Sequence, residues 1–116
     1  MTRIVTKLSN DLHNQIKTAD EIWVAVALMN SVGLQFLLDN LKNNCRQNYL
    51  IGLDLPTDPK ALRKLNELQL TSDINVRLFT DKEYFHPKLY LVKRKNTYSA
   101  FVGSANCTNG GLIIPA

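Results

Sequence analysis

Two strands joined by a basic turn are predicted by the stretch His86–Asn109, HPKLYLVKRKNTYSAFVGSANCTN. His86 and Lys88 lie two positions apart, and so do Ser104 and Asn106. Alternate residues of a strand share one face, so each pair presents its two side chains to the same side. These four polar side chains form a candidate site if the two strands bring the pairs together.

The length of the turn decides whether the pairs meet, because residues directly opposite in an antiparallel pair lie on one face. A three-residue loop at positions 94–96 places His86 opposite Ser104. A two-residue loop places His86 opposite Ala105 and turns Ser104 and Asn106 away, since a slip of one residue flips the face. We predict the three-residue loop or an equivalent bulge, because only that register converges the imidazole, ammonium, hydroxyl and amide groups.

The composition indicates one ordinary globular domain over residues 1–116, since 45% of the residues are apolar and 21% are charged. The net charge of +4 is modest, and a solvated basic surface explains it as well as an anionic partner does. Part of the excess lies in the turn of the hairpin, at Lys93, Arg94 and Lys95. These three residues are the predicted DNA-binding side chains, with a merely soluble turn as the alternative.

Cys45 and Cys107 are the only cysteines, and they lack metal-ligand spacing. Two lone thiols in a chain that opens without a secretion signal predict reduced residues in a cytoplasmic protein. No apolar run approaches the length of a membrane span, so we expect no membrane partner.

The chain before the hairpin alternates between apolar strand patterns and helical patterns, which predicts an α/β fold with a mixed sheet and helices on its faces. A weak strand at positions 2–7 precedes a helix capped by Ser9 or Asn10. The main elements that follow are a strand covered on both faces at Glu21–Met29, a helix capped by Asn30 or Ser31, a strand at Asn48–Leu53, a helix with Asp58 as cap and Pro59 in its first turn, and a strand at Asn75–Phe79.

Apolar positions at helical spacing predict the buried faces of the three helices. They are Leu12, Ile16 and Ala19 in the first helix, Leu34, Leu37, Leu38 and Leu41 in the second, and Leu62, Leu65, Leu68 and Leu70 in the third. His13 falls on the polar side of the first helix, and we assign it to the surface. Tyr84, Phe85 and Tyr90 are assigned to the core or its rim rather than to base stacking.

Imidazole, ammonium, hydroxyl and amide groups suit phosphodiester cleavage through a covalent intermediate. A neutral imidazole attacks phosphorus, Lys88 offsets the charge of the oxygens, and Ser104 and Asn106 donate hydrogen bonds as that charge builds. No acidic cluster has metal-ligand spacing, so we expect neither a metal site nor a cofactor. The leaving oxygen needs a proton from a second imidazole, and a two-fold homodimer would supply a second His86.

These residues resemble a known motif. His86-Pro87-Lys88 followed by Gly103-Ser104-Ala105-Asn106 is similar to the His-x-Lys and Gly-Ser-x-Asn motif of the phospholipase D superfamily, within its nuclease branch, as in metal-independent restriction endonucleases and the similar domains attached to helicases. The resemblance implies an α/β sandwich, a phosphohistidine at His86 and a dimer, because proteins of this branch with one motif pair two copies.

The chain departs from the longer signature of that superfamily in two ways. Lys93 stands where an aspartate follows the motif lysine, which disfavours a phospholipid-processing enzyme more than a nuclease. No Asp or Glu follows Glu83, although the superfamily places an acidic residue downstream of the asparagine. We therefore expect the amino-terminal portion of a longer, truncated domain. The main alternative to an endonuclease is an inactive DNA-binding or dimerisation module.

Overall fold

The computed structural model describes residues 8–53, 57–80, 87–103 and 106–107, with the side chains of residues 8–10 excepted. Three helices and five strands follow one another in the order α1 (Leu8–Ile16), β1 (Glu21–Val26), α2 (Ser31–Asn40), β2 (Arg46–Gly52), α3 (Pro59–Gln69), β3 (Ile74–Phe79), β4 (Lys88–Arg94) and β5 (Thr97–Val102). The predicted α/β alternation is confirmed. The predicted strand at positions 2–7 lies outside the described residues.

The five strands form one mixed sheet in the order β3-β2-β1-β4-β5. β1, β2 and β3 run parallel, while β4 lies antiparallel to β1 and β5 lies antiparallel to β4. Parallel neighbours need crossover connections, which α2 and α3 supply. Because β4 runs antiparallel to the central strand β1, the carboxyl end of β1 lies beside the first residue of β4.

The core lies between the three helices and one face of the sheet. Alternate residues of β1, namely Ile22, Val24 and Val26, are buried on this face, and they pack with the buried helix residues Leu12, Ile16, Leu34, Leu37, Ala61 and Leu65. In the described part of the chain no helix covers the opposite face. Trp23 and Ala25 are only half-buried there, so the prediction that β1 is covered on both faces is not met by the described elements.

The sequence signals for helix starts are confirmed at α2 and α3. The Asn30 side chain accepts a hydrogen bond from the Gly33 amide (2.9 Å) at the N-cap of α2. Asp58 is the N-cap of α3, and Pro59 follows at the first helical position. Both caps satisfy amides that a helix start otherwise leaves unpaired.

Three local predictions are wrong. Ser9 and Asn10 lie inside α1 rather than at its cap, because the helix already includes Leu8. Leu70, assigned to the buried side of α3, is 85% exposed, since it lies beyond the last helical turn. β1 ends at Val26 rather than at Met29, because the chain bends at Ala27.

Candidate active site

The turn between β4 and β5 has two residues, Lys95 and Asn96, because Arg94 pairs directly with Thr97. The predicted three-residue loop is therefore wrong. Lys95 adopts a left-handed conformation (φ 54°), and a tight turn of this kind matches the twist of paired strands. Asp20 supports the turn, since its Oδ2 accepts a hydrogen bond from the Lys95 amide (2.6 Å).

The observed register places Gly103 beside Lys88. The Gly103 amide donates a hydrogen bond to the Lys88 carbonyl (3.2 Å), which continues the ladder that pairs Leu89 with Val102. Asn106 and Cys107 have left this ladder. Among the described residues, the two motif segments, residues 86–88 and 103–106, therefore meet in the hairpin at Lys88 and Gly103, and this pairing does not bring Asn106 to Lys88 as the sequence reasoning required.

Instead, the residues at and after the carboxyl end of β1 contact both motif segments. The Ala27 amide donates to the Pro87 carbonyl (3.0 Å), next to Lys88. The neighbouring residue, Leu28, accepts from the Cys107 amide (3.2 Å). Adjacent Cα atoms lie about 3.8 Å apart, so the two segments are bound to one short stretch of backbone.

Cys107 pairs with this stretch as a parallel bridge partner of Met29. Its carbonyl accepts from the Asn30 amide (3.0 Å), and its side chain is completely buried. Because Cys107 is fixed on both sides of its backbone, the position of the preceding Asn106 is fixed as well.

Asn106 is half-buried, and its Oδ1 is inaccessible to solvent and accepts no hydrogen bond. A buried acceptor without a donor costs about 1–3 kcal/mol. Unsatisfied polar groups are rare in folded proteins and concentrate where function overrides local stability. The assignment of Asn106 to the site stays a prediction.

Lys88 is the first residue of β4 and is half-buried. It lies opposite Val26 and shares the helix-facing side of the strand with Tyr90 and Val92. Tyr90 is 2% exposed, which confirms its assignment to the core. His86, Ser104, Tyr84 and Phe85 lie outside the described residues, so their assignments stay predictions.

The starts of α2 and α3 are joined at the same edge of the sheet. Asp58 Oδ2 accepts from the Ser31 hydroxyl (2.7 Å), and Oδ1 accepts from the Lys60 amide (2.9 Å). The Asp58 amide also donates to the Met29 carbonyl (2.9 Å). These bonds hold the residues that bind Cys107, and the hydrogen bond from Ser31 is the main cause of a lowered Asp58 pKa.

The sequence did not predict the hydrogen bonds that join the two helix starts. It did identify the start signals themselves, which are Asn30, Ser31, Asp58 and Pro59. The signals identify each helix start by itself. That two starts lie side by side follows from the parallel order of β1 and β2, which places both loops at the carboxyl ends of neighbouring strands.

The predicted DNA-binding residues Lys93, Arg94 and Lys95 lie at the other end of β4 from Lys88. With a rise of about 3.3 Å per residue, Arg94 is roughly 20 Å from Lys88 along the strand. Lys93 lies over the ring of Tyr98, with its Nζ 5.8 Å from the ring centroid. The basic turn is thus a surface separate from the residues around Lys88.

Within the described ranges, no group of three His, Cys, Asp or Glu side chains is arranged to hold a metal ion. No described helix combines the length and apolar character needed to cross a membrane. Cys45 and Cys107 are free thiols, and both are buried.

No family model matches the sequence. A comparison with curated protein sequences finds no significant match. Solved structures with a similar arrangement include yeast tyrosyl-DNA phosphodiesterase and the SCAN1 mutant of that enzyme, at 17% and 18% sequence identity and a TM-score of 0.51 in both cases. Each match covers 78% of this chain and 22% of the enzyme, so the chain spans less than a quarter of its length. At this identity the likeness shows the fold alone, and that fold is the mixed α/β sheet with packed helices that the sequence predicts.

Proposed function

We propose that this chain is a metal-independent DNA phosphodiesterase, an endonuclease that acts through a phosphohistidine at His86 in a homodimer. The observation that carries the proposal is the contact of residues 27–30 with both motif segments. Ala27 binds the carbonyl of Pro87, between His86 and Lys88, and Leu28 binds the amide of Cys107, next to Asn106.

In the proposed reaction, an imidazole nitrogen of His86 attacks phosphorus, and the bond from phosphorus to the leaving alkoxide oxygen breaks. That oxygen takes its proton from a second, protonated imidazole. Water then attacks the phosphohistidine, gives a proton to the second imidazole and releases His86. Lys88, Ser104 and Asn106 stabilise the charge that builds on the non-bridging oxygens.

The second imidazole is the reason for proposing a homodimer. His13 is the only other histidine of the chain, and it lies in the last turn of α1. That turn leads through Asp20 to the start of β1, whereas Lys88 lies opposite Val26, at the far end of the same strand. The five-residue length of strand between these ends is roughly 17 Å, so a second His86 from a partner copy is the better source.

DNA is proposed as the substrate because the turn between β4 and β5 is basic. Lys93 and Arg94 lie roughly 17 and 20 Å from Lys88 along β4, and about six stacked nucleotides of a DNA strand span that length. The similar structures belong to an enzyme named a tyrosyl-DNA phosphodiesterase. A cytoplasmic location is proposed from the two free thiols.

A nuclease assay in the presence of a chelator tests the proposal. We expect EDTA-resistant cleavage of DNA that disappears in His86→Ala. Cleavage that persists in this variant would reject the proposed nucleophile. The chain is also proposed to belong to the restriction-nuclease branch of the superfamily that it resembles.

A DNA-binding or dimerisation module without turnover is the second candidate, because no acidic residue follows Glu83 in the sequence. It predicts salt-dependent DNA binding without cleavage. Phospholipid processing is disfavoured by Lys93 and by the single motif, and release of a lipid headgroup would identify it.

A further inference from the structure

The sheet face opposite the helices carries a small aromatic surface beside the basic turn. Trp23 lies opposite Leu91, and Leu91 lies opposite Ala100. Tyr98 is in register with Lys93, and its ring centroid is 6.4 Å from that of Trp23. We call Trp23, Lys93 and Tyr98 together the aromatic surface.

Tyr98 is unusually accessible for an aromatic residue in a strand, with 57% of its surface exposed. Its ring is nevertheless supported, because Trp23 lies beside it and the Lys93 ammonium lies 5.8 Å from its centroid. A ring held in this way loses little conformational freedom when a flat partner stacks on it. No described helix covers this part of the sheet.

The charge around the aromatic surface is positive. Lys93, Arg94 and Lys95 are contiguous there, and among the described residues the carboxylates of Asp20 and Glu21 lie near them. Both carboxylates already have partners. Asp20 binds the Lys42 ammonium and the Lys95 amide, and Glu21 accepts from the Asn48 side-chain amide (2.9 Å).

An exposed, supported aromatic ring bordered by lysine and arginine suits a ligand that has both flat rings and phosphates. In a duplex the faces of the bases are covered by their neighbours, whereas in a single strand they are free to stack on a protein ring. No described helix lies on this face of the sheet to enter a groove.

We propose that the aromatic surface, with Arg94 and Lys95, binds single-stranded nucleic acid, with a base stacked on Tyr98 and the neighbouring phosphates on the basic turn. The inference rests on the proposed function and specifies that its substrate is single-stranded. Tyr98 is in register with Lys93, which is roughly 17 Å along β4 from Lys88, so a bound strand would be held well away from the site of cleavage.

Trp23 provides a direct readout, because it is the only tryptophan of the chain. Its fluorescence is followed while oligothymidylate of about 12 nucleotides is added, and a duplex of equal length serves as the comparison. The oligonucleotides are recovered and sized afterwards, so binding is scored independently of cleavage. A matched RNA strand distinguishes the two kinds of single strand.

We expect saturable quenching by the single strand and at least ten-fold weaker binding of the duplex. Tyr98→Ala should weaken single-strand binding about ten-fold, while Tyr98→Phe retains it, because stacking needs the ring and not the hydroxyl. Circular dichroism and thermal unfolding of both variants establish that they are folded.

The charged residues are tested with a pair of double variants that remove the same charge. Arg94→Ala with Lys95→Ala should reduce the slope of log K against log salt by about 1.4, at about 0.7 for each phosphate contact. Arg63→Ala with Lys64→Ala, on the exposed side of α3, should leave the slope nearly unchanged. Equal effects of the two double variants would overturn the proposal.

Equal or tighter binding of the duplex, or unchanged affinity of Tyr98→Ala, would also overturn it. The binding test and the cleavage test of the proposed function can give different results. Quenching without cleavage supports the aromatic surface and counts against the enzyme, whereas His86-dependent cleavage without quenching does the reverse.

Discussion

The backbone amide of Cys107 donates a hydrogen bond to the carbonyl of Leu28, at a distance of 3.2 Å. This bond joins the end of the second motif segment to the loop that follows the central strand. Ala27, the residue before Leu28, binds Pro87 of the first segment. A central strand therefore positions both halves of the candidate site, and this role is open to direct test.

Removing the Cys107 amide should destabilise the candidate site. Cys107→Pro eliminates the donor and leaves the Leu28 carbonyl unpaired, which costs about 1–3 kcal/mol. Cys107→Ala is the matched control, because it keeps the amide and changes only the buried side chain. We expect Cys107→Pro to be the less stable by that amount in urea unfolding, and to have no cleavage activity. Equal stability of the two variants would show that the bond contributes little.

The geometry of the hairpin turn predicts an unusual response at Lys95. A left-handed conformation costs a residue with a Cβ about 1 kcal/mol, and glycine escapes this cost. Lys95→Gly should therefore raise the free energy of unfolding, whereas Lys95→Val should lower it. Lys95→Gln controls for the lost charge and should lie between them in thermal unfolding. A stabilising valine would contradict the two-residue turn.

The error in the predicted register has a clear physical cause. The sequence reasoning required the motif pairs to meet across the hairpin, and it chose the turn length that allowed this. The length of the turn instead depends on local residues, namely Lys95 and Asn96 in the turn and Asp20, which binds the Lys95 amide. Residues 27–30, which follow β1 and are distant in sequence from the hairpin, bind Pro87 of the first motif segment and Cys107 after the second. The hairpin pattern carries no information about this third partner.

Sequence signals for helix caps, which depend on neighbouring residues, were more reliable than the prediction of the hairpin register. Asn30 and Asp58 were identified as helix caps because a cap needs only a side chain and the amides that follow it. Leu70 was misassigned because apolar spacing does not show where a helix ends. His86 and Ser104, the remaining site predictions, lie outside the described residues.

The N-cap of α2 offers a test of the loop that binds Cys107. Asn30→Ala removes the acceptor of the Gly33 amide, and loss of such a cap costs about 1 kcal/mol. Asn30→Asp keeps an acceptor and should retain most of the stability. Chemical denaturation measures both, and an alanine variant as stable as the original would show that the cap is dispensable.

Acid should destabilise the protein through Asp58 and Asp20. Hydrogen bonds, from Ser31 to Asp58 and from Lys42 to Asp20, lower the pKa of each carboxyl below its usual 3.8. A group with a lowered pKa stabilises the fold above its unfolded pKa, and this stability is lost as the pH falls through the folded value. Asp58→Asn should therefore flatten the stability profile below about pH 4, while retaining a residue suited to the cap. A variant profile as steep as that of the original chain would exclude Asp58 as a contributor.

Neither cysteine should react while the chain is folded. Burial raises the pKa of the Cys45 thiol to about 11 and also raises that of Cys107, and the thiolate is the reactive form. We expect Ellman's reagent to label no thiol in the native protein and both after denaturation in urea. Fast labelling of Cys107 under native conditions would mean that the residues around Leu28 open readily.

A shared site in a homodimer makes a quantitative prediction for mixed subunits. If each dimer builds one site from two His86 side chains, a heterodimer of the original chain with His86→Ala lacks either the nucleophile or the acid and is inactive. Random exchange at equal concentrations leaves about one quarter of the dimers intact, so activity at constant total protein should fall to about one quarter. If each subunit formed an independent site, the mixture would retain about one half of the activity. A Lys64→Ala chain, changed on the exposed side of α3, controls for dilution and exchange. Mixing it with the original chain should leave activity unchanged, and a fall to one half with His86→Ala would show that each chain acts alone.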